Sequence, residues 1–163
     1  MSGTLRGKAT MAAGIVLGAL VLQHLPAHAT STSAAARAAI RYARHQLGKP
    51  YLLGATGPGA FDCSGLVMEA YAHAGISIPR TTFAMWAQLP HIPASQRKAG
   101  DIELIVGSDG TWQSPGHVVL LISRNKAIEA YGSGYPIRVI SLRNPPPGDQ
   151  NVVGFADPLG GRS

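Results

Sequence analysis

"GAFDCSGLVMEAYAHAG", residues 59–75, decides how the fold is read and holds the chain's only cysteine. Leu66, Val67, Ala70, Tyr71 and Ala74 follow Cys63 at helical spacing and form one apolar stripe. Asp62 is a good N-cap residue and Gly75 a good C′ residue. The spacing therefore predicts a helix whose first turn carries Cys63 and whose apolar face meets the core. Free N–H groups and the helix dipole at that position favour a negative sulfur, and the same N–H groups can hold a developing oxyanion. One cysteine cannot form an internal disulfide, so Cys63 is either a small buried hydrophobe or a reactive thiol.

Upstream, "STSAAARAAIRYARHQLG" predicts a helix capped by Ser33 and closed by Gly48. Its stripe is Ala36, Ala39, Ile40, Ala43 and Leu47. "KPYLLGATGPGAF" is a Gly/Pro-rich loop with a short extended piece at Tyr51–Leu53. Downstream, "TTFAMWAQLP" predicts a short helix begun at Thr81 or Thr82 and stopped by Pro90. After "RKAGD" the pattern changes: "DIELIV", "HVVLLIS", "KAIEA", "IRVISL" and "VVGFA" are expected strands. "NPPPGDQN" is expected as a rigid surface turn. Helices first and strands afterwards argue for an α+β fold, with helices packed on one face of a five- to six-stranded antiparallel sheet.

The 163 residues, 45% hydrophobic and 13% charged, suit one domain. The N-terminus has the pattern of an export signal. Arg6 and Lys8 precede the apolar "MAAGIVLGALVLQHL", and "PAHAT" predicts a cut after Ala29. The expected organisation is a signal peptide over 1–29, one domain over 30–159 and a loose tail over 160–163. The apolar core Met11 to Leu22 is too short to span a bilayer comfortably, though an uncleaved anchor is the alternative. The whole chain carries a formal charge of +6, and loss of Arg6 and Lys8 leaves 12 basic residues against 8 acidic. These charges are scattered singly, with no run of five or more Lys/Arg, which argues against a nucleic-acid binder. A modestly cationic exported protein is drawn to polyanions such as wall polymers.

A nucleophilic thiol needs a base, and the base needs an orienting group. His45 and His73 fall on polar helix faces and His91 in a loop, so these three are expected at the surface. His117 differs, because "SPGHVVLLIS" puts it where a Gly-containing loop enters a buried strand; it is either a structural strand-edge histidine or a base. Glu129, on the next strand in "KAIEAYGSG", is either a solvent-facing charge or the orienting acid. A two-residue loop at Arg124-Asn125 sends Glu129 to the face opposite His117. The two share a face only if the connection has odd length or contains a bulge.

Taken together, "GKPYLLGATGPGAFDCSGLV", "IPRTT", "KAGDI", "GHVVLLI" and "AIEA" resemble the NlpC-type cysteine peptidases of bacterial cell walls. The match runs in order from about residue 35 to 157. The resemblance implies a papain-like α+β core, with Cys63 as nucleophile, His117 as base and Glu129 as third member. It implies Tyr51 at the cleft, and Asp62 and Ser64 flanking it, where their local role is to cap and solvate the first helical turn. Arg80, from "PRT", meets a substrate carboxylate or braces a loop. Val119 stands where relatives often have Gly, and "IELIV" is less aromatic than its counterparts.

The activity implied is cleavage of an amide in wall stem peptides, between D-glutamate and a diamino acid, without a cofactor. Peptidoglycan stem peptides are the expected partner, and the expected species is a monomer outside the cytoplasm, associated with the wall. No Cys pair or His pair has metal-ligand spacing, so no metal site is expected. Two other readings stay open, a non-catalytic wall-binding module and a cysteine acyltransferase or amidase on the same fold.

Overall fold

A computed structural model describes the backbone of residues 1, 3 and 27–160, with side chains from 34 onward in the first helix. Most of the expected leader and the last three residues lie outside the described residues. Among the described residues, no helix is long and apolar enough to cross a membrane.

Helix α1 (Ala27–Arg44) starts well before Ser33, so that residue stands inside the helix and does not cap it. The added residues, AHATST, mix two alanines with His, Ser and Thr, so helix propensity does not account for the earlier start. The other end also differs. The backbone tightens after Arg44, with the N–H of His45 donating to Tyr42 O at 3.0 Å and that of Gln46 to Ala43 O at 3.0 Å. Gly48 then takes φ 84° and its N–H donates to Ile137 O at 2.9 Å. Leu47 is thereby turned out of the stripe and left exposed.

Helix α2 (Cys63–His73) has the expected bounds and caps. Asp62 accepts from the Gly65 N–H at 2.6 Å, and Gly75 takes φ 77° just past the end. Leu66, Val67, Ala70 and Tyr71 are fully buried. Burying a Leu-sized side chain contributes about 1.5–3 kcal/mol. Helix α3 (Thr82–Gln88) is capped by Thr81, whose hydroxyl accepts from Ala84 N–H.

The strands are β1 (His91–Ile92), β2 (Ile102–Ile105), β3 (His117–Ser123), β4 (Lys126–Glu129), β5 (Arg138–Ser141) and β6 (Val152–Ala156). They form one antiparallel sheet in the order β1-β6-β2-β3-β4-β5. Only β1 was absent from the expected set; at two residues it is too short to show an alternation. The helices pack with the sheet through a core that includes Ala39, Ala43, Leu66, Tyr71, Ile102, Leu104, Val118, Leu120 and Ile128. A smaller cluster of Ile105, Val119, Leu121, Ala127, Ile140 and Phe155 lies on the alternate positions of the same strands. The central strands are therefore buried on both faces, which explains why "HVVLLI" is continuously apolar.

The β3–β4 hairpin has the two-residue connection Arg124-Asn125, which by itself would separate His117 from Glu129. A register shift intervenes: Ser123 pairs with Lys126, but Leu121 pairs with Ala127 and Leu120 with Ile128. Ile122 is the extra residue. Continued one step, this register sets Glu129 across from Val119, on the face that carries His117.

Candidate active site

The start of α2, the start of α3, the start of β3 and the loops that carry Tyr51, Asp109, Tyr131 and Asp149 converge on one cleft of about 960 Å³. Tyr51, Asp62, Cys63, Ser64, Arg80, His117 and Asp149 all line it. Cys63 and His117 are 9% and 6% exposed, so each shows the cleft only a small part of its surface.

Glycines decide how closely these elements approach. A Cβ on Gly65 would collide with the Ala55 carbonyl oxygen and stand 2.9 Å from Asp62 Oδ1. The residue two places after the cysteine must therefore be glycine for the loop to seat on the first turn of α2. A Cβ on Gly116 would lie 2.5 Å from Asp109 Oδ1 and 2.8 Å from Gly110 N. Its absence lets the β2–β3 loop fold tightly beside His117.

The sulfur of Cys63 lies 3.9 Å from Gly116 O, next to the histidine in sequence. His117 Nε2 is 3.4 Å from Glu129 Oε2 and 4.0 Å from Asp149 Oδ1. Arg138 Nε donates to the other Glu129 oxygen at 2.7 Å. Glu129 is fully buried. Burial pulls the imidazole toward its neutral form, but hydrogen bonding with Cys63 and Glu129, and the charges of Cys63 and Asp149, outweigh it. His117 is pushed up to about 10. Burial alone would raise Glu129, whereas its interactions with His117, the neighbouring Asp149 carboxyl and Arg138 hold it below the usual carboxylate range. The site therefore favours a cationic ring beside an anionic carboxylate.

A second network braces the start of α2. Arg80 grips Asp62 with both nitrogens, Nη2 to Oδ2 at 2.6 Å and Nη1 to Oδ1 at 3.1 Å, and Nη1 also donates to Ser64 Oγ at 2.8 Å. Asp62 further accepts from Gly54 N–H at 2.8 Å. Asp62 caps α2, whereas Ser64 is buried and bonds to Arg80 and Asp62 rather than solvating the turn as expected; all three line the cleft. Tyr51 is half-buried there, its phenol raised by burial and then by the nearby Cys63 and Asp62.

Among the described residues, His45, His73 and His91 stay outside the cleft. His45 and His73 are exposed. His91 stacks on Trp86 at 3.6 Å between ring centroids, and its Nε2 lies 2.7 Å from Trp86 O.

Sequence reasoning missed Asp149. The segment read as a surface turn folds over Tyr131, whose hydroxyl donates to Pro147 O at 2.9 Å. Gly148 takes φ 99°, where a Cβ would lie 2.6 Å from that hydroxyl. Asp149 is left 1% exposed. Burial and the neighbouring Glu129 push its carboxyl up. The only signal was a glycine before an acid, which a surface turn explains equally well.

A family model described as the NlpC/P60 family matches residues 48–153, a span containing Cys63, His117, Glu129 and Asp149. The chain belongs to the NlpC/P60 family. A probable endopeptidase of Corynebacterium glutamicum is 37% identical over 124 residues, 76% of this chain and 56% of that protein. A probable endopeptidase p60 of Listeria monocytogenes is 38% identical over 95 residues, 58% of this chain and 19% of its own length. The chain thus spans about half or less of these NlpC/P60 relatives. Among solved structures, a Bacillus cereus NlpC/P60 family protein superposes with a TM-score of 0.69 at 26% identity, covering 76% of this chain and 40% of that one. The peptidoglycan hydrolase RipB of Mycobacterium tuberculosis gives 0.63 at 28% identity, covering 78% and 66%. The α+β NlpC/P60 fold is the one expected from the sequence.

Proposed function

We propose that this chain is an exported cysteine endopeptidase that hydrolyses an amide bond in peptidoglycan stem peptides, between D-glutamate and a diamino acid. The observation that carries the reading is the cleft that gathers Cys63 and His117, with the buried Glu129 3.4 Å behind the ring. The relatives named as endopeptidases, and the fold shared with a peptidoglycan hydrolase, support it. The leader pattern over residues 1–29 supports export of a domain spanning 30–159.

In this mechanism Cys63 is the nucleophile, His117 the acid and base, and Glu129 the group that orients the ring and balances its charge. The thiol proton passes to His117. The thiolate attacks the amide carbonyl, forming the S–C bond and an oxyanion that the Cys63 N–H, a free donor at the helix start, stabilises. His117 gives its proton to the departing amine as the C–N bond breaks. Water then loses a proton to His117 and attacks the thioester, which releases the carboxylate product and restores the thiol. Tyr51 and the Asp62–Ser64–Arg80 group hold the peptide on the cleft wall. No step requires a cofactor.

Defined muropeptides digested with wild type and with Cys63→Ala, followed by mass analysis, test the reading. Wild type is expected to yield two fragments that together gain one water, and the variant none. Fragments from the variant at the wild-type rate would refute the mechanism, and products carrying a transferred amine would indicate an acyltransferase.

A further inference from the structure

The peptidase mechanism leaves Asp149, on the cleft wall, unused. Its carboxyl is 1% exposed, no donor from another residue reaches either oxygen, and its neighbour in the pocket is a second acid, Glu129. An unsatisfied buried polar group costs about 1–3 kcal/mol, so the arrangement calls for a partner. The nearest groups are themselves metal ligands by type: His117 Nε2, a Glu129 oxygen and an Asp149 oxygen all lie within 4.8 Å of one another. A tetrahedral zinc with bonds of about 2.0–2.2 Å requires ligand atoms about 3.3–3.6 Å apart. The His117–Glu129 separation of 3.4 Å already meets this, and the His117–Asp149 separation of 4.0 Å needs a small closure.

We propose that His117, Glu129 and Asp149 form a zinc-binding site that, when filled, switches the cleft off. An imidazole nitrogen and two carboxylate oxygens suit this borderline cation, and two carboxylates balance its charge. Arg138, bound to the second Glu129 oxygen at 2.7 Å, is the outer-shell group that fixes that ligand. His117 and Asp149 line the cleft, which supplies the entry path and room for water at the fourth position. Binding forms one Zn–N and two Zn–O bonds, and the protons on Nε2 and on any protonated carboxyl leave to solvent. The metal-bound ring then keeps its single proton on the other nitrogen and has no lone pair to accept the proton of Cys63. The inhibitory half of this proposal rests on the peptidase reading; the binding half does not. Ligand spacing in the sequence gave no hint, because residues 117, 129 and 149 come from two strands and a loop.

The test uses Cys63→Ala protein, which removes the thiol as a competing ligand. Calorimetric titration with Zn²⁺ is expected to show one site, and ¹⁵N-histidine NMR to place the metal on His117 Nε2 and not on the exposed histidines. Adding Asp149→Asn should weaken binding about tenfold or more. In wild type, Zn²⁺ should abolish turnover over the same concentration range, EDTA should restore it, and Mg²⁺ should have no effect. Binding lost in Cys63→Ala, or a zinc signal confined to other histidines, would overturn the proposal. If Asp149→Asn does not fold, the NMR assignment alone decides. Zinc binding without peptidase activity would fault the functional reading and leave the site intact.

Discussion

Replacing Glu129 by Gln keeps the shape of the side chain and removes the charge beside His117. Unit charges about 3.4 Å apart attract by about 5 kcal/mol at an effective dielectric constant of about 20. At about 1.4 kcal/mol for each tenfold change, that is about three and a half powers of ten in the ring's affinity for its second proton. His117, at about 10 in the native site, would fall to about 6.5. The working form is a thiolate beside an imidazolium, so the alkaline limb of kcat/KM follows loss of the imidazolium proton. That limb should move from about pH 10 down toward about pH 6.5, with about a thirtyfold loss of active form by pH 8. Asp149, 4.0 Å from the same nitrogen, gains charge when Glu129 loses it. The single variant should therefore move the limb part of the way, and Glu129→Gln with Asp149→Asn the whole way. The assay is kcat/KM on a defined muropeptide from pH 5 to 10 in metal-free buffer, with iodoacetamide alkylation rates as a second probe of the thiolate. An alkaline limb that stays in place in both variants would refute the electrostatic coupling.

Gly65→Ala drives a methyl into the Ala55 carbonyl and toward Asp62, and should cost about 1–3 kcal/mol in denaturant unfolding, with activity falling more than stability. Arg80→Met releases both Asp62 oxygens and Ser64, and is expected to raise KM and lower the melting temperature by a few degrees; an unchanged KM would confine Arg80 to bracing. Glu103, 4% exposed on β2, is raised by burial to about 7. A carboxyl bound more tightly to its proton in the folded state favours folding at low pH, and that stability drains away as pH rises from about 4.5 to about 7. Glu103→Gln should flatten this decline, worth about 3 kcal/mol at most, in melting temperatures measured from pH 4 to 8.

The legible parts of the fold were those fixed locally. Cys63 at the start of α2 could be read because its cap, its stripe and its closing glycine all lie within 14 residues of Asp62. Strands β2 to β6 could be read because β-branched and aliphatic runs are bounded by turn residues. The ends of α1 could not, since tertiary capture of Gly48 by Ile137 decides where that helix stops. The pairing of His117 with Glu129 depended on one residue, Ile122, being squeezed out of register. Whether a hairpin bulges is set by packing of the whole strand against its neighbours, and no local pattern announces it.

The same distinction explains why Asp149 escaped notice and why it matters. Glu129 sits in a strand flanked by apolar residues, so an inward carboxylate was at least a question the sequence could pose. Asp149 follows three prolines and a glycine, the composition of an exposed turn, and is buried only because that turn closes over Tyr131. The closure brings a second acid to an imidazole that already has one. A peptidase that needed only an oriented, cationic histidine would be complete with Glu129 and Arg138. A further carboxyl buried without a hydrogen-bond donor destabilises the fold unless a proton or a cation neutralises it. The two cases separate by experiment. A proton alone predicts that Asp149→Asn stabilises the metal-free protein above pH 7 and leaves its response to zinc unchanged. A cation site predicts the same gain in stability together with loss of zinc sensitivity.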